Sequence, residues 1–216
     1  NERVQTKNEI QKNKQALQKE KNLDKIKVYN DNIFNLDTQQ NVLKLILNSI
    51  YGTFAQLYSP LFDIDHSASI TLTGQTVVKQ AAEIVYEYAK KKGFNGKKSD
   101  IYKYSDTDSI YICIEPLLNF LDCKFQNNDG DISPETKTVI DEIDKVLNEE
   151  IISWAKENLK SIDPRFVFKR ETICDKALFL EKKRYILHVL DQEGYKPSKP
   201  FKYVGVEVAR SSDRKS

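Results

Sequence analysis

The chain has no methionine, three cysteines and two histidines among its 216 residues. Cys113, Cys123 and Cys174 form no CxxC pair, so spacing reveals neither a disulfide framework nor a zinc site. No apolar run approaches the roughly 20 residues that a membrane helix needs, and no membrane partner is expected. Cysteines this few and this scattered suit a reducing, cytoplasmic setting. The chain opens at Asn1 inside a polar, helix-like stretch, which reads as a piece of something longer, and no secretory or transit signal is visible there. Its length still allows one large domain or two small ones with a core of their own.

Nor is there an excess of one charge, since 34 basic and 32 acidic groups leave a net +2. That balance conceals a segregation along the chain. Residues 1–27 carry a net +4, residues 28–130 a net −3, residues 131–163 a net −5 and residues 165–216 a net +6. Cationic ends around an anionic middle make nucleic acid a partner to consider, although lysine-rich ends are also common as solvated surface.

Hydrophobic spacing supplies the elements. Residues 2–18 are polar with sparse anchors (Val4, Ile10, Leu17), which predicts an exposed helix with one weak contact stripe. A polar connector is expected around residues 30–37. Leu43, Leu47, Ile50 and Phe54 then recur at helical spacing and predict a packed helix ending near residues 52–55. A third helix is expected over 67–92, with Ile70, Val77, Ala81, Ile84, Val85 and Tyr88 inward and a Lys90-Lys91-Lys92-Gly93 C-terminus. Residues 101–114, IYKYSDTDSIYICI, alternate β-branched and aromatic residues about an acidic turn and predict a β-hairpin. Ser133-Pro134-Glu135 should cap a long helix carrying Val139, Ile143, Leu147, Ile151 and Trp154. RFVFKRE, KALFL, RYILHVL and YVGVEV are expected as strands, with a turn at Glu193-Gly194. This order predicts an α+β fold with an antiparallel sheet.

Three constellations carry chemistry. In Tyr104-Ser105-Asp106-Thr107-Asp108-Ser109, a turn at Asp106 and Thr107 would let Asp106 close one strand and Asp108 open the next. Two neighbouring carboxylates repel, and a divalent cation relieves them; oxygen-only ligation of this kind suits magnesium or manganese. Asp and Ser are also ordinary turn formers, but apolar strands on both sides make two acids costly without a ligand. On the second predicted helix, Lys44, Asn48 and Tyr51 share one face, offering a cation, an amide and a phenol. A phosphate beside Lys44 and a base or sugar beside Tyr51 would suit that stripe, as would plain solvent. Arg3 and Lys7 repeat the spacing on the first helix. Finally, Glu181-Lys182-Lys183-Arg184-Tyr185 sets three cations and an aromatic at the start of an expected strand, which suits either a phosphate backbone or a charged strand edge.

Taken together and in order, KLILNSIYG (44–52), YSDTDS (104–109) and KKRY (182–185) closely resemble three motifs of the family B DNA polymerases. They are similar to the KxxxNSxYG motif of the fingers, the YxDTDS motif of the palm and the KKxY primer-template motif. Residues 58–65, 70–75 and 205–212 are similar to the T-even-type bacteriophage replicative members in particular. The resemblance spans nearly the whole chain and is weakest at about 20–40 and 115–160.

The resemblance implies a fragment with a fingers helical hairpin (1–55), part of the palm with its antiparallel sheet (56–205) and the start of the thumb (206–216). It implies nucleotidyl transfer from deoxynucleoside triphosphates to a primer 3′ hydroxyl, served by two magnesium ions, with manganese as a substitute. Asp108 would be the main metal ligand and Asp106 its partner, with Glu171 near a further acidic position. Arg3, Lys7, Lys44 and Asn48 would hold the triphosphate, and Tyr51 and Gly52 would face the nascent base pair. Lys182, Lys183, Arg184 and Tyr185 would grip primer-template DNA. A DxxSLYPS-like motif is missing, and Ser105 stands where the family has glycine. The expectation is therefore a viral replicative polymerase fragment, inactive alone, completed by an upstream segment and a candidate for sliding-clamp contact. The alternative is a non-catalytic DNA-binding module that keeps the polymerase scaffold.

Overall fold

The computed structural model describes residues 2–206, and the side chains of all of these except 2–4, 18 and 19. In chain order the elements are α1 (Glu2–Lys19), α2 (Leu23–Ala55), α3 (Ile64–Lys91), α4 (Lys98–Ile101), β1 (Tyr102–Asp106), β2 (Ser109–Ile112), α5 (Glu115–Phe120), α6 (Pro134–Asn158), β3 (Thr172–Glu181), β4 (Arg184–Gln192) and β5 (Phe201–Val204). The fold is α+β, with antiparallel pairing throughout. It divides into two compact units, Asn1–Thr71 with Glu193–Tyr195, and Leu72–Gln192 with Lys196–Ser216.

In the first unit α1 and α2 form a helical hairpin. The Asn22 side chain caps α2 by accepting from the backbone N–H groups of Asp24 (3.0 Å) and Lys25 (3.4 Å), which satisfies two of the donors a helix start leaves open. The polar connector expected at 30–37 does not exist: α2 runs unbroken for 33 residues. No glycine or proline interrupts residues 23–51, and low apolarity alone does not break a helix. The expected packed stripe is also corrected. None of the residues of α2 is buried, and Leu47 and Ile50 are 51% and 52% exposed. α1 contributes the buried Ile10 and Thr6.

The second unit owns the main core. From α3, Val77, Ala81, Ile84, Val85, Tyr88 and Ala89 pack with Phe94, Ile101, Leu117 and Leu118 and with Val139, Ile143, Leu147 and Ile151 of α6. Ile70, expected on this inner face, is instead 48% exposed. α3 ends as its Lys-Lys-Lys-Gly signature predicts: Gly93 adopts φ +98°, and Phe94 N–H donates to the Ala89 carbonyl at 3.0 Å, which meets carbonyls that the last turn leaves open. Ser133 caps α6 by accepting from Thr136 N–H at 3.1 Å and donates its own hydroxyl to the Lys124 carbonyl at 2.6 Å.

The 165–171 segment is not assigned to a strand, contrary to the expected strand. At Phe168 the Asn148 side chain accepts from the backbone N–H and donates to the carbonyl, both at 2.9 Å. Phe166 and Phe168 meanwhile pack against the core. β3, β4 and β5 form an antiparallel sheet in that order. β5 stops at Val204, shorter than YVGVEV suggests, and residues 207–216 lie outside the described residues.

Candidate active site

Two turns in the second unit meet. The first joins β1 to β2, whose register pairs Tyr104 with Tyr111 and Asp106 with Ser109. The loop is therefore Thr107-Asp108, one residue later than expected: Asp106 closes β1, Ser109 opens β2, and Asp108 sits in the turn itself. Thr107 takes φ +53°, and Asp108 N–H donates to the Asp106 carbonyl at 2.7 Å. The Ser109 hydroxyl donates to the same carbonyl at 3.0 Å, and the Thr107 hydroxyl donates to Asp106 Oδ1 at 3.1 Å. This three-residue closure brings both carboxylates to one short segment.

The second turn joins β3 to β4. Glu181 pairs with Arg184, so Lys182-Lys183 is the loop, with Lys183 at φ +62°; the three cations were expected at a strand start. Lys183 N–H donates to Tyr104 Oη at 2.8 Å, and Lys183 Nζ lies 3.7 Å from Asp106 Oδ1. Behind this contact, the cross-strand pairs Tyr104–Tyr111 and Phe179–Tyr185 face one another as a four-ring cluster with centroids 5.3 to 6.0 Å apart. Tyr111 and Tyr185 join hydroxyls at 2.8 Å. Burial and that hydrogen bond push the Tyr111 phenol well above the ordinary tyrosine range, so it stays protonated at neutral pH. Gly205 lies against the Lys182-Lys183 turn: a Cβ there would lie 2.2 Å from the Lys183 carbonyl oxygen.

Sequence reasoning found the acids, the cations and Tyr185, but missed Tyr104, Tyr111, Phe179 and Gly205 as the parts that hold them. The available signal was the aromatic content at alternate positions of both hairpins, which pairing makes into one patch.

Glu171 immediately precedes β3 at Thr172, at the other end of that strand from the Lys182-Lys183 turn. Among the described residues no three His, Cys, Asp or Glu side chains come together in a metal-binding group. The donors at the turn thus suit a hard cation that takes one or two carboxylates and fills its remaining positions from water or substrate phosphate, as magnesium does; they do not suit a closed protein cage.

In the first unit, the continuous α2 places Lys44, Asn48 and Tyr51 on one face, all exposed. The Tyr51 hydroxyl accepts from Ser67 Oγ at 3.4 Å, and a Cβ added at Gly52 would meet nothing within 4 Å. Lys7, expected with this set, pairs instead with Glu193 at 2.6 Å, and Gln11 donates to the Glu193 carbonyl. The Arg3 side chain lies outside the described residues.

Comparison with known proteins follows the same residues. The family model for DNA polymerase family B matches residues 5–119. Over 191 residues the chain is 26% identical to the DNA-directed DNA polymerase of Enterobacteria phage T4, and over 197 residues 27% identical to that of Escherichia phage RB69. Each match covers 83% of this chain and 21% of the phage protein, so the chain spans about a fifth of the length of these relatives. A shorter stretch of 77 residues, 36% of the chain and 6% of the relative, is 34% identical to the protein named DNA polymerase beta in an African swine fever virus isolate.

Proposed function

Because this chain belongs to DNA polymerase family B, we propose that it supplies the fingers hairpin (1–55), a second part of the palm (56–205) and the start of the thumb (206–216) of a DNA-directed DNA polymerase serving viral replication. The observation that carries this reading is the meeting of the aspartate turn with the Lys182-Lys183 turn. It puts carboxylates suited to a hard cation beside a cation suited to DNA phosphate.

Asp108 and Asp106 would hold divalent magnesium, with manganese as a substitute; when bound, such ions stabilise charge on the attacking and leaving oxygens of phosphoryl transfer. The work of the chain's own residues is positioning. Lys44 and Asn48 on the open face of α2 would bind the triphosphate, together with Arg3 and with Lys7 once it leaves Glu193. Tyr51 and Gly52 would lie against the nascent base pair, on a side where a Cβ added at Gly52 would meet nothing within 4 Å. Lys182, Lys183 and Arg184 would contact the backbone of primer-template DNA, with Tyr185 holding their turn from beneath through the aromatic cluster. Such phosphate contacts position DNA without reading sequence. Glu171, near a further acidic position of the family, would be a neighbour of that metal site.

The partners are then deoxynucleoside triphosphates, primer-template DNA, an upstream polymerase segment bearing the family's other palm aspartate and a sliding clamp, in the cytoplasm of an infected host. Among the described residues no helix is long and apolar enough to cross a membrane. Primer extension in magnesium should be undetectable with this chain alone and appear when the upstream segment is added. Asp108→Asn should then abolish extension while DNA binding without divalent metal stays within about twofold, because a turn carboxylate makes no phosphate contact. Extension by the chain alone would overturn the incompleteness. DNA binding indifferent to magnesium, with extension absent in every combination, would favour the non-catalytic DNA-binding module.

A further inference from the structure

The Asp106 side chain is one-fifth exposed and its Oδ1 meets two groups, the Thr107 hydroxyl and the Lys183 ammonium. The ammonium is 62% exposed on a flexible stem, yet its backbone is held on both sides. Tyr104 Oη accepts its N–H, and the Gly205 backbone lies against its carbonyl. The stem can therefore swing while its root cannot, and the Asp106 carboxylate lies within its reach. A cation on a fixed root beside a carboxylate competes with any other cation for that carboxylate.

We propose that Lys183 is the resident counter-cation of the aspartate turn, displaced when a divalent cation binds there, so that metal binding and the capture of a DNA phosphate by Lys183 favour each other. The inference rests on the metal reading above and deepens it. Without metal, the ammonium is shared between Asp106 and any phosphate that approaches. Once a metal takes the carboxylate, the ammonium is released toward the phosphodiester backbone. The coupling is reciprocal by linkage: whatever factor metal adds to DNA affinity, DNA adds to metal affinity. Lysine suits the task because its charge is compact and its stem mobile, whereas a forked guanidinium would hold a carboxylate in two bonds.

The test measures manganese binding to this chain by the loss of the free-ion electron paramagnetic resonance signal, and binding of a primer-template duplex by fluorescence anisotropy. Lys183→Gln should bind manganese roughly two- to fivefold more tightly than the wild type, the range set by removing a partly exposed ion pair. Lys183→Arg, which keeps the charge, should stay near the wild-type value or below it. Manganese should raise duplex affinity in the wild type by the same factor and raise it less in Lys183→Gln. Manganese binding that disappears in Asp108→Asn but is unchanged in Lys183→Gln would leave the metal reading standing and overturn the counter-cation. Tightening in Lys183→Arg equal to that in Lys183→Gln would overturn it as well, since charge would not be the cause. No manganese binding by any form would overturn the metal reading and this inference together.

Discussion

At Gly205 a Cβ would press on the Lys183 carbonyl at a backbone φ of +61°, so a side chain there meets both a backbone clash and a conformation that L residues rarely adopt. Gly205→Ala is expected to cost about 2 kcal/mol or more, read as a lower urea midpoint with an unchanged denaturant slope, and to weaken duplex binding in parallel because the Lys183 turn must shift. A loss of stability below about 0.5 kcal/mol would show that the turn adapts freely. The residues of the site were legible to different depths. Asp106, Asp108 and the cations announce themselves by charge in an apolar setting. Gly205 does not, because one glycine beside a strand carries no local sign of the carbonyl that another hairpin brings to it. Asp108 was placed one residue too far along, since both Asp106-Thr107 and Thr107-Asp108 make acceptable two-residue turns and only the pairing of Asp106 with Ser109 decides between them.

Elements were legible where burial follows periodicity. α3 and α6 appear with nearly the expected bounds because each presents one apolar stripe to the shared core. Only the second half of α2 is legible as helix, since its polar first half has no stripe to count and its capping Asn22 lies earlier than the apolar pattern begins. The 165–171 segment was misread because alternation in a sequence does not supply a strand partner, and Asn148 takes that place. α6 also carries a titrating group. Burial raises the Asp144 carboxyl above its ordinary value of 3.8, opposed by the nearby Arg170 cation and assisted by Asp141. The folded state therefore holds the Asp144 proton more tightly than the unfolded chain, so its contribution is most favourable below the unfolded value and is lost as pH rises through the raised one. Asp144→Asn, which cannot ionise, should be more stable than the wild type at pH 7. That advantage should shrink toward nothing below pH 4 in thermal melts across the range; an advantage constant with pH would mean that ionisation is not its source.

Across the molecule, burial is unevenly shared. The second unit encloses the core of α3 and α6, whereas the first contains a 33-residue helix with no buried residue and with Lys25, Lys27 and Lys44 exposed along it. Elements with few buried contacts open locally at little cost. Brief trypsin treatment should cut α2 first and leave a protected fragment containing residues 72–192, identified by mass. First cuts in α6 or at the Lys182-Lys183 turn would contradict that order. The net charge of +2 likewise resolves into placed charges, for Lys7 answers Glu193 and Lys183 answers Asp106.

Thr107 and Lys183 share a further property. Each holds a left-handed φ in a loop of two residues, where glycine would rest without strain and a β-branched threonine is the least comfortable choice. An engineer asked only for a hardier protein would rewrite both positions as glycine and gain on each. One edit would strip the hydroxyl from the aspartate, and the other would remove the ammonium that answers it. Selection for thermal tolerance alone would thus erode the meeting of these turns, and a screen for robust variants needs metal or duplex binding as a second criterion.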